Sequence, residues 1–239
     1  MPLCVTLWIV TPDEVIAELH RHANPTNVAG MARYGIATTN TLGISVPTLR
    51  AIARRCIRDH GGHDHALAVA LWDSGIHEAR HIAAMVEDPK TVTKKQLESW
   101  ARDLDSWDVT DGFAFSLVIK TPHAYDLALK WSSSEHEFTK RAAFATIAGL
   151  AVHDKKAPDH KLLEFLPIIE RESTDDRNFV KKAVNWALRQ IGKRNRACKT
   201  AAIASAERIH STNTKSARWI ATDALRELRS DAVQSRLRR

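Results

Sequence analysis

Residues 214–228, TKSARWIATDALREL, decide the fold. Ala217, Ile220, Ala221, Ala224, Leu225 and Leu228 fall at offsets 0, 3, 4, 7, 8 and 11, which is one apolar stripe of an amphipathic helix. The same spacing appears in residues 137–153, EFTKRAAFATIAGLAVH, where Phe138, Ala142, Ala145, Ala148 and Val152 stand at 0, 4, 7, 10 and 14. Helical periodicity recurs from Thr11 onward, and strand-type alternation bounded by turn signals is absent. Pro25, Pro47, Gly61-Gly62, Gly75, Pro89, Pro122, Pro158 and Gly192 break the pattern at short intervals. TPDEV, TPHAY and APDHK read as helix starts, with a polar cap followed by proline. The spacing predicts about a dozen helices of roughly 9–17 residues. Short connections between them imply antiparallel pairs, and many such pairs without a sheet imply an all-α chain built as an α-solenoid. Helix length and spacing carry the repeat, since no repeated motif is visible. No linker divides the chain, so one domain is expected over residues 1–239.

The bulk numbers suit this architecture. A chain of 239 residues with 44% hydrophobic and 26% charged residues can bury a core. The formal charge of +7 points toward a polyanionic partner. Cys4, Cys56 and Cys198 are few, odd in number and far apart, which speaks against a disulfide framework or a thiolate zinc site. The apolar N-terminal run LCVTLWIV is too short to span a membrane and lacks the basic flank of a signal peptide. A cytoplasmic protein without membrane attachment is expected.

Residues 77–81, HEARH, fit H-E-x-x-H, the zinc-protease helix motif in which two histidines one turn apart bind the ion and the glutamate acts as base. The context opposes that reading. Such enzymes align substrate on a sheet edge, and no strand is predicted. Only Glu98 offers itself as a third ligand, without any mark to single it out. Arg80 would place a cation beside the ion. The expectation is therefore a helix with two surface or groove histidines and no metal.

Two clusters are richer in chemistry. In residues 105–113, DSWDVTDGF, Trp107 and Asp111 are four apart and share a helix face. Asp108 is rotated about 100° from Trp107. The plainer alternative makes Trp107 a core residue and the carboxylates solvated or capping groups. In residues 177–199, RNFVKKAVNWALRQIGKRNRACK, eight lysines and arginines occur without an acid. Lys182, Trp186, Arg189 and Lys193 form one stripe, which suits a phosphate backbone with an exposed sugar or base. The alternative is a solvated basic face with Trp186 turned inward. His63, Asp64 and His65 read as a polar loop and N-cap after two glycines, and His153 and Asp154 as the close of a helix.

With these pieces in order, the chain resembles the AlkD-like family of DNA alkylation repair glycosylases. The likeness runs through ARYGIATTNTLGISVPTLRAIAR, LWDSGIHEARHIAAM, WDVTDGF, FTKRAAFATIAGLAVHDK and KKAVNWALRQIGKRN. It implies HEAT-like helix pairs with a basic concave groove for duplex DNA. It makes Glu78 and Arg80 part of a family segment rather than a zinc motif. It implies Asp111 as the catalytic carboxylate with Trp107, Trp186 as the second groove tryptophan, and Arg141 as an arginine contacting DNA near the lesion. Lys182, Arg189, Lys193 and Arg194 would bind the backbone. Ser106 stands where a family member the chain resembles has a second tryptophan, and Asn185 where that member has glycine.

The chemistry is self-consistent. A purine alkylated at N3 or N7 leaves as a neutral base and needs no general acid. The sugar gathers positive charge, which one carboxylate can stabilise while orienting water and which indole faces attract. No cofactor is required. The expected partner is duplex DNA carrying alkylated purines, bound by a monomer. Two other readings compete: a helical-repeat module that holds duplex or branched DNA without cutting it, and a protein-interaction solenoid.

Overall fold

The computed structural model describes residues 10–36 and 38–236. Cys4 and most of the N-terminal apolar run lie outside them. Among the described residues every regular element is helical. The backbone divides into two compact units, Met1–Thr121 and Pro122–Arg239.

The first unit contains α1 (Pro12–Arg21), α2 (Pro25–Ala32), α3 (Val46–Asp59), α4 (His65–Asp73), α5 (His77–Val86), α6 (Lys94–Arg102) and α7 (Trp107–Ser116), closed by a 3-10 turn over Val118–Lys120. Local chemistry sets several starts. Thr11 accepts from the Glu14 amide while the Glu14 side chain accepts from the Thr11 amide, a capping box with Pro12 in the first turn. Asp64 caps α4 through the Leu67 amide at 2.7 Å, as its place after two glycines predicts. The core is aromatic: Trp72 and Trp100 stack at 4.3 Å with planes 2° apart, and Phe113 of α7 tilts against both. Ring stacking of this kind adds about 0.5–1.5 kcal/mol beyond area burial, so it firmly seats α7 beside α4 and α6.

The second unit contains α8 (Ala124–Trp131), α9 (Glu137–His153), α10 (Asp159–Leu163), α11 (Leu166–Glu172), α12 (Asn178–Gly192), α13 (Arg196–Ser211), α14 (Lys215–Leu228) and α15 (Asp231–Arg236). Every residue of α9 from Thr139 to Ala151 is buried, the mark of a helix enclosed on all sides. Its main neighbours are α12 and α8. Gly192 ends α12 where a Cβ would stand 2.6 Å from a Leu228 methyl and 3.0 Å from the Ala202 Cβ, so a side chain there would force α13 or α14 to shift. The stripe of residues 214–228 packs inward as read, with Ala217, Ile220, Ala221, Ala224 and Leu228 buried.

Helices α10 and α11 have five and seven residues, shorter than predicted. Pro167 lacks an amide proton and starts a new helix where one longer helix would otherwise continue. In TPHAY and APDHK the proline also lies outside the helix, since α8 begins at Ala124 and Pro158 is itself the N-cap of α10. Asp154 closes α9 as read, accepting from the Ala157 amide at 3.0 Å and the Tyr125 hydroxyl at 3.1 Å. No described helix is long and apolar enough to cross a membrane.

Candidate functional site

The H-E-x-x-H stretch opens α5, and its glutamate is fully committed. Glu78 is 1% exposed. Its carboxylate accepts from the backbone amides of Gly43 at 2.7 Å, Leu42 at 2.8 Å and Ile44 at 3.2 Å. Gly43 has φ +76°, and a Cβ there would lie 2.4 Å from the Asn24 carbonyl oxygen. A glycine is therefore needed for the chain to wrap around the carboxylate. Glu78 anchors a loop and cannot serve as a general base. Arg80 turns away from the histidines: it donates to the Asp103 carbonyl at 3.0 Å and lies over the Trp72 ring.

The histidines differ from expectation. His77 and His81 are buried, each 5% exposed, rather than surface residues. Packing of α5 against α3, α4 and α7 encloses them, and both face Asp108, whose Oδ2 lies 2.8 Å from His77 Nε2 and 3.6 Å from His81 Nε2. Ser106 donates to the other oxygen of Asp108 at 2.6 Å. Burial opposes ionisation of Asp108, but the hydrogen bonds from His77 and Ser106, with the His81 ring close by, outweigh it and hold the carboxyl far below the usual range. For His77, burial disfavours the charged ring, yet Asp108 raises its pKa overall. Gly112, one turn after Asp108, lets α7 come close: a Cβ there would lie 2.6 Å from His81 Nδ1.

These groups line a cavity of about 460 Å³ inside the first unit. Its walls include Thr26, Met31, Tyr34 and Leu49, with His77, His81, Asp108 and Trp107 at one side. Trp107 donates its indole N–H to the Tyr34 carbonyl at 3.1 Å. Helix α7 thus presents two polar faces. Asp108 and Gly112 face α5, while Trp107 and Asp111, both half-buried, share the adjacent face. Ser106 belongs to the Asp108 cluster.

In the second unit the basic segment is less bare than its composition implies. The reading of eight uncompensated charges is corrected by acids that arrive from elsewhere in the chain. Arg189 binds Glu227 at 2.7 Å and Asp223 at 3.4 Å, and Lys193 binds Glu227 at 2.8 Å. Arg177 pairs with Asp175 at 2.6 Å. Arg194 lies 3.5 Å from Asp159 and donates to the Ala157 carbonyl at 2.7 Å. Arg141 is buried and donates to the Phe179 carbonyl at 2.8 Å, tying α9 to α12. Lys182 is exposed, and Trp186 is half-buried rather than sealed in the core. Asn185 is buried and donates to Asp223 at 2.7 Å. It links α12 to α14 and helps hold the acid that faces Arg189.

The sequence model described as "DNA alkylation repair enzyme" matches residues 15–228. The chain belongs to the DNA alkylation repair enzyme family. An uncharacterized protein of Listeria innocua is 30% identical over 135 residues, and one of Listeria monocytogenes is 27% identical over the same length. Each match covers 55% of this chain and 58% of the relative. A solved structure described as "a new family of proteins related to the HEAT-like repeat DNA glycosylases with affinity for branched DNA structures" superposes with a TM-score of 0.71. That superposition covers 91% of this chain and 95% of the other at 17% identity, a likeness of fold. It makes this member of the DNA alkylation repair family a HEAT-like helical-repeat protein.

Sequence reasoning missed the Asp108–His77–His81 cluster. Its only local signal is the i, i+4 spacing of the histidines. The carboxylate is 31 residues from His77, and only the packing of α5 on α7 brings them together.

Proposed function

We propose that the protein is a monofunctional DNA glycosylase that removes cationic N3- or N7-alkylated purines from duplex DNA. The observation that carries this reading is the pair Trp107 and Asp111, one turn apart on α7 in a member of the alkylation repair family. Asp111 stabilises the oxocarbenium-like sugar and positions the attacking water. Trp107 presents an indole face to the cationic sugar. Lys182 and Trp186 contact the strand through charge and stacking. Arg141, Arg189, Lys193 and Arg194 complete the DNA-binding set, Arg141 and Arg194 mainly by shaping the helices around them. The protein acts as a monomer in the cytoplasm and needs no cofactor for base release.

The described structural neighbour, with its affinity for branched DNA, motivates a second reading: a helical-repeat module that binds branched DNA without releasing a base. One experiment separates the two. Base release from methylated duplex is measured with EDTA present for wild type and Asp111→Asn, beside duplex and junction binding for both. Release lost in the variant with binding retained supports the glycosylase. Intact binding with no release by wild type supports the binding module.

A further inference from the structure

We propose that His77, His81 and Asp108 form a binding site for a borderline divalent cation of the zinc type, with one coordination position open to the cavity of the first unit. The ligand types are right, two imidazoles and a carboxylate. Their three ligand atoms lie within 4.8 Å of one another. Bonds of about 2.0–2.1 Å meeting at the tetrahedral angle would set ligand atoms about 3.3 Å apart. The Asp108 oxygen stands 2.8 Å and 3.6 Å from the two histidine nitrogens, on either side of that spacing, and closing the ring nitrogens, within 4.8 Å of each other, onto one ion takes side-chain rotation.

Hydrogen bonding alone does not account for the arrangement. One carboxylate oxygen faces two ring nitrogens, and the contact with His81 at 3.6 Å exceeds hydrogen-bond length. An ion would satisfy both nitrogens at once. The surroundings also fit. Ser106 holds the second Asp108 oxygen at 2.6 Å and aims the first toward the histidines, as outer-sphere partners of metal ligands do. Arg80, the cation that weighed against a metal in the sequence, is directed to the Asp103 carbonyl. Glu78 is occupied by three amides, so the site is not that of a zinc protease. All three ligands line the cavity, which gives the ion a path in and its fourth position a water or an anion. The inference is independent of base release.

The test uses the full-length protein, stripped with EDTA and desalted, titrated with Co²⁺ and then Zn²⁺. The expected result is one Co²⁺ per chain with the visible absorption of a four-coordinate site, displaced by one Zn²⁺. Asp108→Asn and His81→Gln should each weaken binding by more than the roughly 10–100-fold that loss of an outer-sphere partner costs, and His65→Ala should leave it unchanged. Wild-type long-range imidazole NMR needs no variant to fold: zinc should shift the ring resonances of two histidines, assigned as His77 and His81. Absence of stoichiometric binding, equal binding by both ligand variants, or shifts confined to other histidines would overturn the proposal.

Discussion

Three backbone amides meet one carboxylate at Glu78, and that geometry can be probed directly. Glu78→Ala leaves the amides of Leu42, Gly43 and Ile44 without their acceptor in a buried setting. Each such loss costs about 1–3 kcal/mol, so the first unit should lose on the order of 3 kcal/mol or more. Urea denaturation followed by tryptophan fluorescence would measure it, and a change below about 1 kcal/mol would contradict the anchoring role. The residue scale was partly legible from sequence. That Trp107 and Asp111 share a helix face was readable because four-residue spacing is local information. Asp108 and Ser106 were not assigned, since their partner on α5 is fixed only by tertiary packing. Glu78 was recognised as part of a segment, but its amide partners lie 34–36 residues away and leave no trace in periodicity.

Charge pairing between helices sets the behaviour of the second unit in acid. Asp175 links α12's leading Arg177 to Lys140 of α9, which also binds Glu172 of α11. Burial pushes the Asp175 carboxyl upward, but Arg177 and Lys140 outweigh it and hold the pKa below its ordinary value. A depressed carboxyl pKa stabilises the fold above the unfolded value near 4, and that stability is lost as pH falls through the folded pKa. Thermal melts should therefore be steady toward neutral pH and drop from about pH 4 downward. Asp175→Asn should be less stable at pH 7 and should flatten part of that acid limb; an unchanged limb would remove Asp175 from the account. Helix positions were readable where caps are local, as at Thr11 and Asp64. The acids of α14 that neutralise Arg189 and Lys193 were not, because composition along one helix says nothing about which helix packs beside it.

The chain as a whole carries a charge of +7, and its distribution decides how binding responds to salt. Each phosphate neutralised should contribute about −0.9 to the slope of log K against log salt. Lys182 is exposed, so Lys182→Ala should weaken duplex binding and reduce that slope by about 0.9. Arg194→Ala should instead lower thermal stability, because Arg194 holds carbonyls of the last turn of α9 and of the turn after it. Fluorescence anisotropy across a salt series would check both, and an equal slope change for the two would contradict this division. Helical class and repeat character were legible because stripe and breaker spacing are properties of every segment. The division into two units was not, since Thr121 and Pro122 lie among turn signals no stronger than the others. The enclosure of α9 bears on how such a sequence can drift. From Thr139 to Ala151 the helix has no side facing solvent, so nearly every exchange there must conserve volume, or neighbouring helices would have to change in concert. The second unit can diversify at its rim while its axis stays almost immobile in sequence space.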